Sequence, residues 1–501
     1  MPGSTAASPP APTVSARRHR PPTRLSAADT VLWQIERDPI LRSTITAVAL
    51  LDRAPDLDLL RQRLESVIDA VPRLRERIVA GAAPGVAWWV QVDELDLDYH
   101  LRHATVPAPG GDRELLELVR PWSVTPFDPE RPLWEFTLVD GLRDGRTAFV
   151  QKVHHSLTDG VGGIELALML LDGERRPARP PTTAASTGAP DGAPDGGATG
   201  DAIGGRSRDG AGRSRWPAPI GRVRRGVARS CGAGLGLARS GLSAARNPLH
   251  AADLGAKTAV GAVRLLAPVR SSSPLLRERS LRRGLHMIEM PLEALHAAGH
   301  EADCTVNDAL LAAVASGLRR YHRRHGISLD RVAVTMPINL RRADDSIVGN
   351  HFTPARFTVP AALDDPVIRM RALGDVARSW QGSPALRMSD PLAGLLDRLP
   401  RPLTVAVFGS MLKGIDTVVT NVPGVPGPCY LAGASVEREF AFAPTGGAAL
   451  NVALVSHHDV ACIGVAVDLA AVPDDEVLIA ELAAGFREVL AVGGTTHVSV
   501  T

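Results

Sequence analysis

His154-His155-Ser156-Leu157-Thr158-Asp159-Gly160 is the stretch on which the reading of this chain turns: two imidazoles, a carboxylate four residues after the second, and a glycine. Upstream, residues 147–153 are β-branched and largely apolar, the composition of a buried strand. Downstream, residues 161–171 carry Ile164, Leu168 and Leu171 at helical spacing. The heptad is therefore expected at a strand-to-helix junction, a place where folds commonly present functional groups.

The chemistry that fits is general-base catalysis. A histidine of near-neutral pKa takes a proton from a hydroxyl or amine as it attacks an acyl carbonyl, then returns it to the leaving group. His155 is the candidate base. His154 alternates to the other side of an extended segment and is expected to pack or to orient the backbone. Asp159 lies too far along the turn to be assumed a relay partner; a carboxylate in this position often holds a loop through an arginine pair. Gly160 lets the chain turn without a side chain crowding the site. Ser156 lacks the Gly-x-Ser-x-Gly setting of a nucleophile elbow. Two blander readings stand beside this one. A metal site lacks any further His or Cys at short helical or ribbon spacing, and a buried structural His pair explains the same letters. The heptad alone leaves catalysis and structure both open.

Other segments extend the pattern. Arg131-Pro132-Leu133-Trp134-Glu135, Lys152-Val153-His154-His155 and Asp159-Gly160-Val161 lie in the first half of the chain. Thr305-Val306-Asn307-Asp308, Pro337-Ile338-Asn339-Leu340-Arg341 with Gly349-Asn350, and Thr420-Asn421-Val422-Pro423-Gly424 lie far beyond. Together they resemble the bacterial wax ester synthase/diacylglycerol acyltransferase family. Leu25-Ser26-Ala27-Ala28-Asp29 is similar to the family's opening motif, with alanine where proline is usual. The resemblance covers residues 22–172 and 271–490.

The resemblance implies an α/β (α+β) fold of two chloramphenicol-acetyltransferase-like halves with a tunnel at their interface. It implies transfer of a fatty acyl group from acyl-CoA to diacylglycerol or a long-chain alcohol, with His155 as base within the set His154, His155, Asp159 and Gly160. Acyl-CoA is then a substrate and no cofactor is expected. Asn307 would face the tunnel, Thr420 and Asn421 would lie near it, and Pro132 and Trp134 would be structural. His351 stands where the family commonly has arginine, which bears on acceptor contacts. Composition and spacing by themselves do not give the substrate. Two alternatives come from other classes: a condensation-type acyltransferase using a carrier-protein thioester, and a non-catalytic lipid-surface binding protein that keeps the scaffold.

Length and composition agree with two domains. A chain of 501 residues exceeds one ordinary core. A formal net charge of +2 gives no global attraction to nucleic acid. The four cysteines, Cys231, Cys304, Cys429 and Cys462, form no paired framework, so a reducing cytoplasm is expected. No run of about 18 apolar residues suggests a spanning helix. Residues 1–21 read as a disordered basic arm without the apolar core of a secretory signal, residues 22–172 as the N-terminal acyltransferase half, and 271–501 as the C-terminal half. Between the halves, residues 173–215 are nearly all Gly, Pro, Ala, Ser, Thr, Asp and Arg, a low-complexity linker unable to offset its ordering entropy. Residues 216–270 carry many arginines and a single acid, Asp253. They fit a basic amphipathic surface resting on anionic lipid, at about 1 kcal/mol per cation, or a crossover helix with a solvated basic face. The first option extends the expected location to the periphery of the inner membrane or lipid droplets.

Local signals place several elements. Residues 57–71 read as a helix closed by Pro72, and residues 134–139 and 147–153 as a hairpin feeding the heptad. Thr305 reads as an N-cap, with Asp308 structural at the helix's positive end. Residues 332–336 read as a strand that Pro337 to Arg341 leave, and Arg341 is the candidate partner of Asp159, set against a solvent-facing arginine beside Arg342. Residues 417–420 read as a strand ending in the Asn-Val-Pro-Gly turn. His457-His458-Asp459, between apolar runs 450–455 and 461–467, reads as a solvated hairpin turn.

Overall fold

The structure is a computed structural model and describes residues 20–82, 86–175, 271–339, 352–381 and 400–501. Arg341, Gly349, Asn350, His351 and the basic segment 216–270 lie outside the described residues, as do most of the arm and most of the linker.

Two seven-stranded sheets dominate the α/β architecture. The first runs, in spatial order, Leu101–Thr105, Trp134–Asp140, Thr147–His154, Thr44–Leu51, Ala434–Phe442, Tyr430–Leu431 and Leu171–Asp172. The second runs Phe352–Pro360, Arg331–Asn339, Thr417–Val422, Leu450–His457, Val460–Asp468, Arg283–Pro291 and Ser499–Val500. A three-stranded sheet of Thr23–Arg24, Ala87–Gln91 and Glu76–Ala80 flanks the first.

Period-two alternation assigns the faces. On the first sheet Ala49, Leu51, Phe149 and Val153 pack under the helices Leu57–Ala70 and Gly160–Leu170. Their neighbours Val48, Leu50, Val150, Phe440 and Phe442 turn the other way, onto Leu285, Met287, Cys462 and Ala466 of the second sheet. That sheet's opposite face, with Ile288, Met290, Ile463 and Val465, is covered by the helices Leu292–Glu301, Val306–Arg324 and Asp475–Val492. The sheets approach closely at Gly464, where a Cβ would stand 2.2 Å from the Ala441 carbonyl oxygen.

The strand Ala434–Phe442 joins the halves. It comes late in the chain yet pairs with Thr44–Leu51 of the first sheet, with a bulge between Val436 and Arg438. No described helix is long and apolar enough to cross a membrane.

Three local expectations change. The helix after the heptad ends at Leu170, and Leu171 begins a short strand against Leu431. The strand expected to end before Pro337 runs on to Asn339. Pro337 is opposite Pro354 on the edge strand, and pairing with Thr417–Val422 involves only Val334 and Thr335, so the missing N–H interrupts no ladder there. In the His457 turn only His458 and Asp459 are exposed; His457 is buried, its Nε2 donating to the Val436 carbonyl at 3.0 Å.

Candidate active site

The heptad leaves the middle of the first sheet. The strand Thr147–His154 is paired on one side with Trp134–Asp140 and on the other with Thr44–Leu51. Its last residues are held from both sides: the His154 N–H donates to the Leu133 carbonyl at 3.0 Å, and the His155 N–H to the Ser43 carbonyl at 2.8 Å. His155 is half-buried, whereas His154 is 2% exposed. The expected division between a presented imidazole and a packed one is therefore what the strand delivers.

His154 is contacted at both ring nitrogens. Its Nδ1 accepts the Ser156 backbone N–H at 3.0 Å and lies 2.7 Å from Ser156 Oγ. Its Nε2 lies 3.1 Å from Glu36 Oε1, and the edge of Phe127 packs against the ring. Glu36 also accepts the Ser43 N–H at 2.6 Å. Burial pushes the Glu36 carboxyl up, but His154, the Ser43 N–H and Arg42 outweigh it and leave the group below its ordinary range.

Asp159 is the N-cap of the helix Gly160–Leu170. In extended backbone, its Oδ1 accepts the Gly162 N–H at 2.9 Å, which satisfies one orphan donor of the first turn. Gly160 opens that helix and meets the second sheet: a Cβ there would lie 3.0 Å from Val422 Cγ2. Next to Val422, the Asn421 amide donates to Asn307 Oδ1 at 2.8 Å. Gly160, Asn421 and Asn307, drawn from three distant segments, are thus brought to one place where the sheets meet. Thr420 is half-buried one residue before Asn421, and the fully buried Val419 alternates with it. Gly424 fixes the following turn, because a Cβ there would sit 2.2 Å from the Ser456 carbonyl oxygen.

The remaining named residues brace this arrangement. Thr305 and Asp308 form a reciprocal capping box at the start of Val306–Arg324, and Asp308 also pairs with Arg378 at 3.3 Å. Trp134 is fully buried; its indole donates to the Leu74 carbonyl at 2.9 Å and stacks 4.2 Å from the His100 ring. Burial pushes His100 down to about 4, so the neutral ring donates through Nδ1 to the Trp134 carbonyl at 2.7 Å. Pro132 is buried beside Leu133, whose carbonyl anchors His154. Sequence reasoning missed Glu36 and Ser43, which support the heptad from more than a hundred residues away. The only local signal was the helix end marked by Asp38-Pro39, which does not single out the carboxylate before it.

Two parts of one family match this chain. The wax ester synthase/diacylglycerol acyltransferase catalytic domain matches residues 25–310, and the corresponding C-terminal domain residues 348–489. The chain belongs to this family. Among its relatives, a Mycobacterium tuberculosis protein provisionally named a diacylglycerol O-acyltransferase is 33% identical over 479 residues, covering 94% of this chain and 92% of that one. A second Mycobacterium tuberculosis protein of the same provisional name is 29% identical, covering 83% and 86%. The solved wax ester synthase/diacylglycerol acyltransferase from Marinobacter aquaeolei VT8 aligns with a TM-score of 0.59 at 21% identity, covering 94% of this chain and all of that one. The first condensation domain of the calcium-dependent antibiotic synthetase aligns with the same TM-score at 14% identity, covering 97% and 100%, a likeness of fold alone. The two-half α/β fold and the family expected from the motifs are both established, and the chain is an acyltransferase of that family.

Proposed function

We propose that the protein moves a fatty acyl group from acyl-CoA to the hydroxyl of diacylglycerol, of a long-chain alcohol, or of both, with His155 as general base. The observation that carries this reading is the braced, half-buried His155 at the end of a central strand, beside the contact of Gly160 with Val422 from the other sheet. Neutral His155 accepts the acceptor's hydroxyl proton as its oxygen attacks the thioester carbonyl. The C–S bond then breaks, and the imidazolium protonates the departing thiolate of coenzyme A. No acyl-enzyme is needed. Asp159 acts by capping the helix that starts the site, Gly160 by leaving room for Val422, and Asn307, Thr420 and Asn421 line the approach from the C-terminal half. Both substrates are taken to enter by a tunnel between the halves. The names of the relatives support the acceptors, and oily acceptors favour a working position at a lipid surface.

The test gives purified protein labelled palmitoyl-CoA with diacylglycerol and hexadecanol in competition and resolves the products by thin-layer chromatography. Triacylglycerol or wax ester formed in step with free thiol is the expected outcome. Neither ester from acyl-CoA, with acyl transfer only from a carrier-protein thioester, would move the chain to the condensation class.

A further inference from the structure

We infer that Glu36 is a positioning residue for acyl transfer, its carboxylate holding the Nε2 edge of His154 and, through Ser43, fixing the backbone that carries His155. This rests on the reading of His155 as the base.

Glu36 is the C-cap of the helix Ala27–Ile35, far from the heptad in sequence. One carboxylate oxygen, Oε1, faces both histidine supports: it is 3.1 Å from His154 Nε2 and accepts the Ser43 N–H at 2.6 Å. The other end of the Ser43 residue, its carbonyl, accepts the His155 N–H at 2.8 Å. A single carboxylate therefore touches the His154 ring and, through Ser43, braces the backbone N–H of His155. The tautomer of His154 follows from its other nitrogen. Nδ1 accepts the Ser156 backbone N–H at 3.0 Å and has no room for a proton, so the neutral ring carries its hydrogen on Nε2, toward Glu36. The contact is close, but Nε2 lacks a well-aligned acceptor, so the attraction is that of an anion for a polar N–H rather than a linear hydrogen bond.

The charged groups facing Glu36 make it a settled anion. Arg42 follows the short helix Pro39–Leu41, and its charge bears on the Glu36 carboxyl. Lys152, on the same strand as His154, is buried, lies over the Phe127 ring and pairs with Glu135 at 3.3 Å. An anion held behind the strand end also favours the positive charge that His155 acquires as it takes the substrate proton. Removing only that charge should lower catalysis, because the imidazolium forms in the transition state and not in the bound substrate complex.

The experiment compares full-length wild type, Glu36→Gln, Glu36→Ala and His155→Ala with acyl-CoA and diacylglycerol across pH. Glu36→Gln keeps the size and an acceptor for Ser43. We expect its kcat to fall about tenfold with KM for acyl-CoA within about twofold, and the acid limb of the kcat profile to move down by about half a pH unit. The sign follows because loss of an anion makes protonated His155 less favourable and lowers its pKa. A Glu36→Gln enzyme with wild-type kcat, or one whose kcat falls only in proportion to its folded fraction while the acid limb stays in place, overturns the inference. If Glu36→Ala does not fold, Glu36→Gln still decides. An inactive His155→Ala beside an unaltered Glu36→Gln sinks this inference alone, whereas an active His155→Ala removes the base assignment beneath it.

Discussion

At the scale of single residues, the heptad separates its chemistry by alternation: His155 is presented, while His154 is packed beneath it. Ser156 lies between them in role, its N–H and Oγ both directed at His154 Nδ1. Ser156→Ala keeps the backbone donor, so turnover should stay within about threefold of wild type, whereas loss of a true nucleophile would remove activity by about a thousandfold or more. Steady-state release of coenzyme A thiol reads the difference. Trp134 is a packing residue with a polar handle. Trp134→Phe should cost about 2 kcal/mol in urea denaturation, through the orphaned Leu74 carbonyl and the lost stacking area on His100, with little change in KM. The separation of His155 from His154 was legible because a strand has period two, and the capping Thr305 because polar residues at a helix start satisfy bare N–H groups. Asp159 was read as the holder of a loop, and the structure supplies a nearer duty for it, as the N-cap of Gly160–Leu170. Glu36 was not legible, because its partner lies over a hundred residues away and nothing around it in the chain distinguishes a bracing carboxylate from a solvated one.

At the scale of elements, close backbone approaches set the packing. The helices Val306–Arg324 and Asp475–Val492 cross where a Cβ on Gly485 would stand 2.4 Å from the Ala313 carbonyl oxygen and one on Gly317 would stand 2.6 Å from Leu482 Cα. Gly485→Ala must push the helices apart, at about 2–3 kcal/mol of stability by overpacking, measurable as a lower urea midpoint at constant slope. The hairpin of Trp134–Asp140 with Thr147–His154 and the helix Leu57–Ala70 were readable from local periodicity. The crossing of Ala434–Phe442 into the first sheet was not. Alternation tells which side chains face a core, but not which neighbour completes the ladder, and this strand's partner is nearly four hundred residues earlier. The extension of the strand through Pro337 was hidden for a related reason: a proline is tolerated only where the neighbouring strand does not need its N–H, and that is a property of the sheet.

At the scale of the whole molecule, that crossing strand makes the stability of the two halves interdependent and carries a buried acid into the first sheet. Glu439, paired in register with Ala49, sits in a mostly apolar wall with Phe149, Ala167, Leu170, Leu431 and Val436, beside the polar Gln151. Burial alone pushes its carboxyl from an ordinary 4.5 up to about 7. The folded state therefore keeps the proton to higher pH than the unfolded chain does, so stability falls as pH rises from about 4.5 to about 7 and levels off above. Glu439→Gln removes that dependence and should gain about 3 kcal/mol over wild type at pH 8 but little near pH 4, read from denaturation at the two pH values. The chain is an acyltransferase, and the proposed base, His155, follows the end of the strand Thr147–His154. The most direct test is the rate of coenzyme A release by His155→Ala with saturating acyl-CoA and diacylglycerol, alongside its thermal melt. A loss of about a hundredfold to ten-thousandfold with an unchanged Tm is expected; a variant that melts like wild type and turns over within a few-fold of it would contradict the assignment of His155 as base.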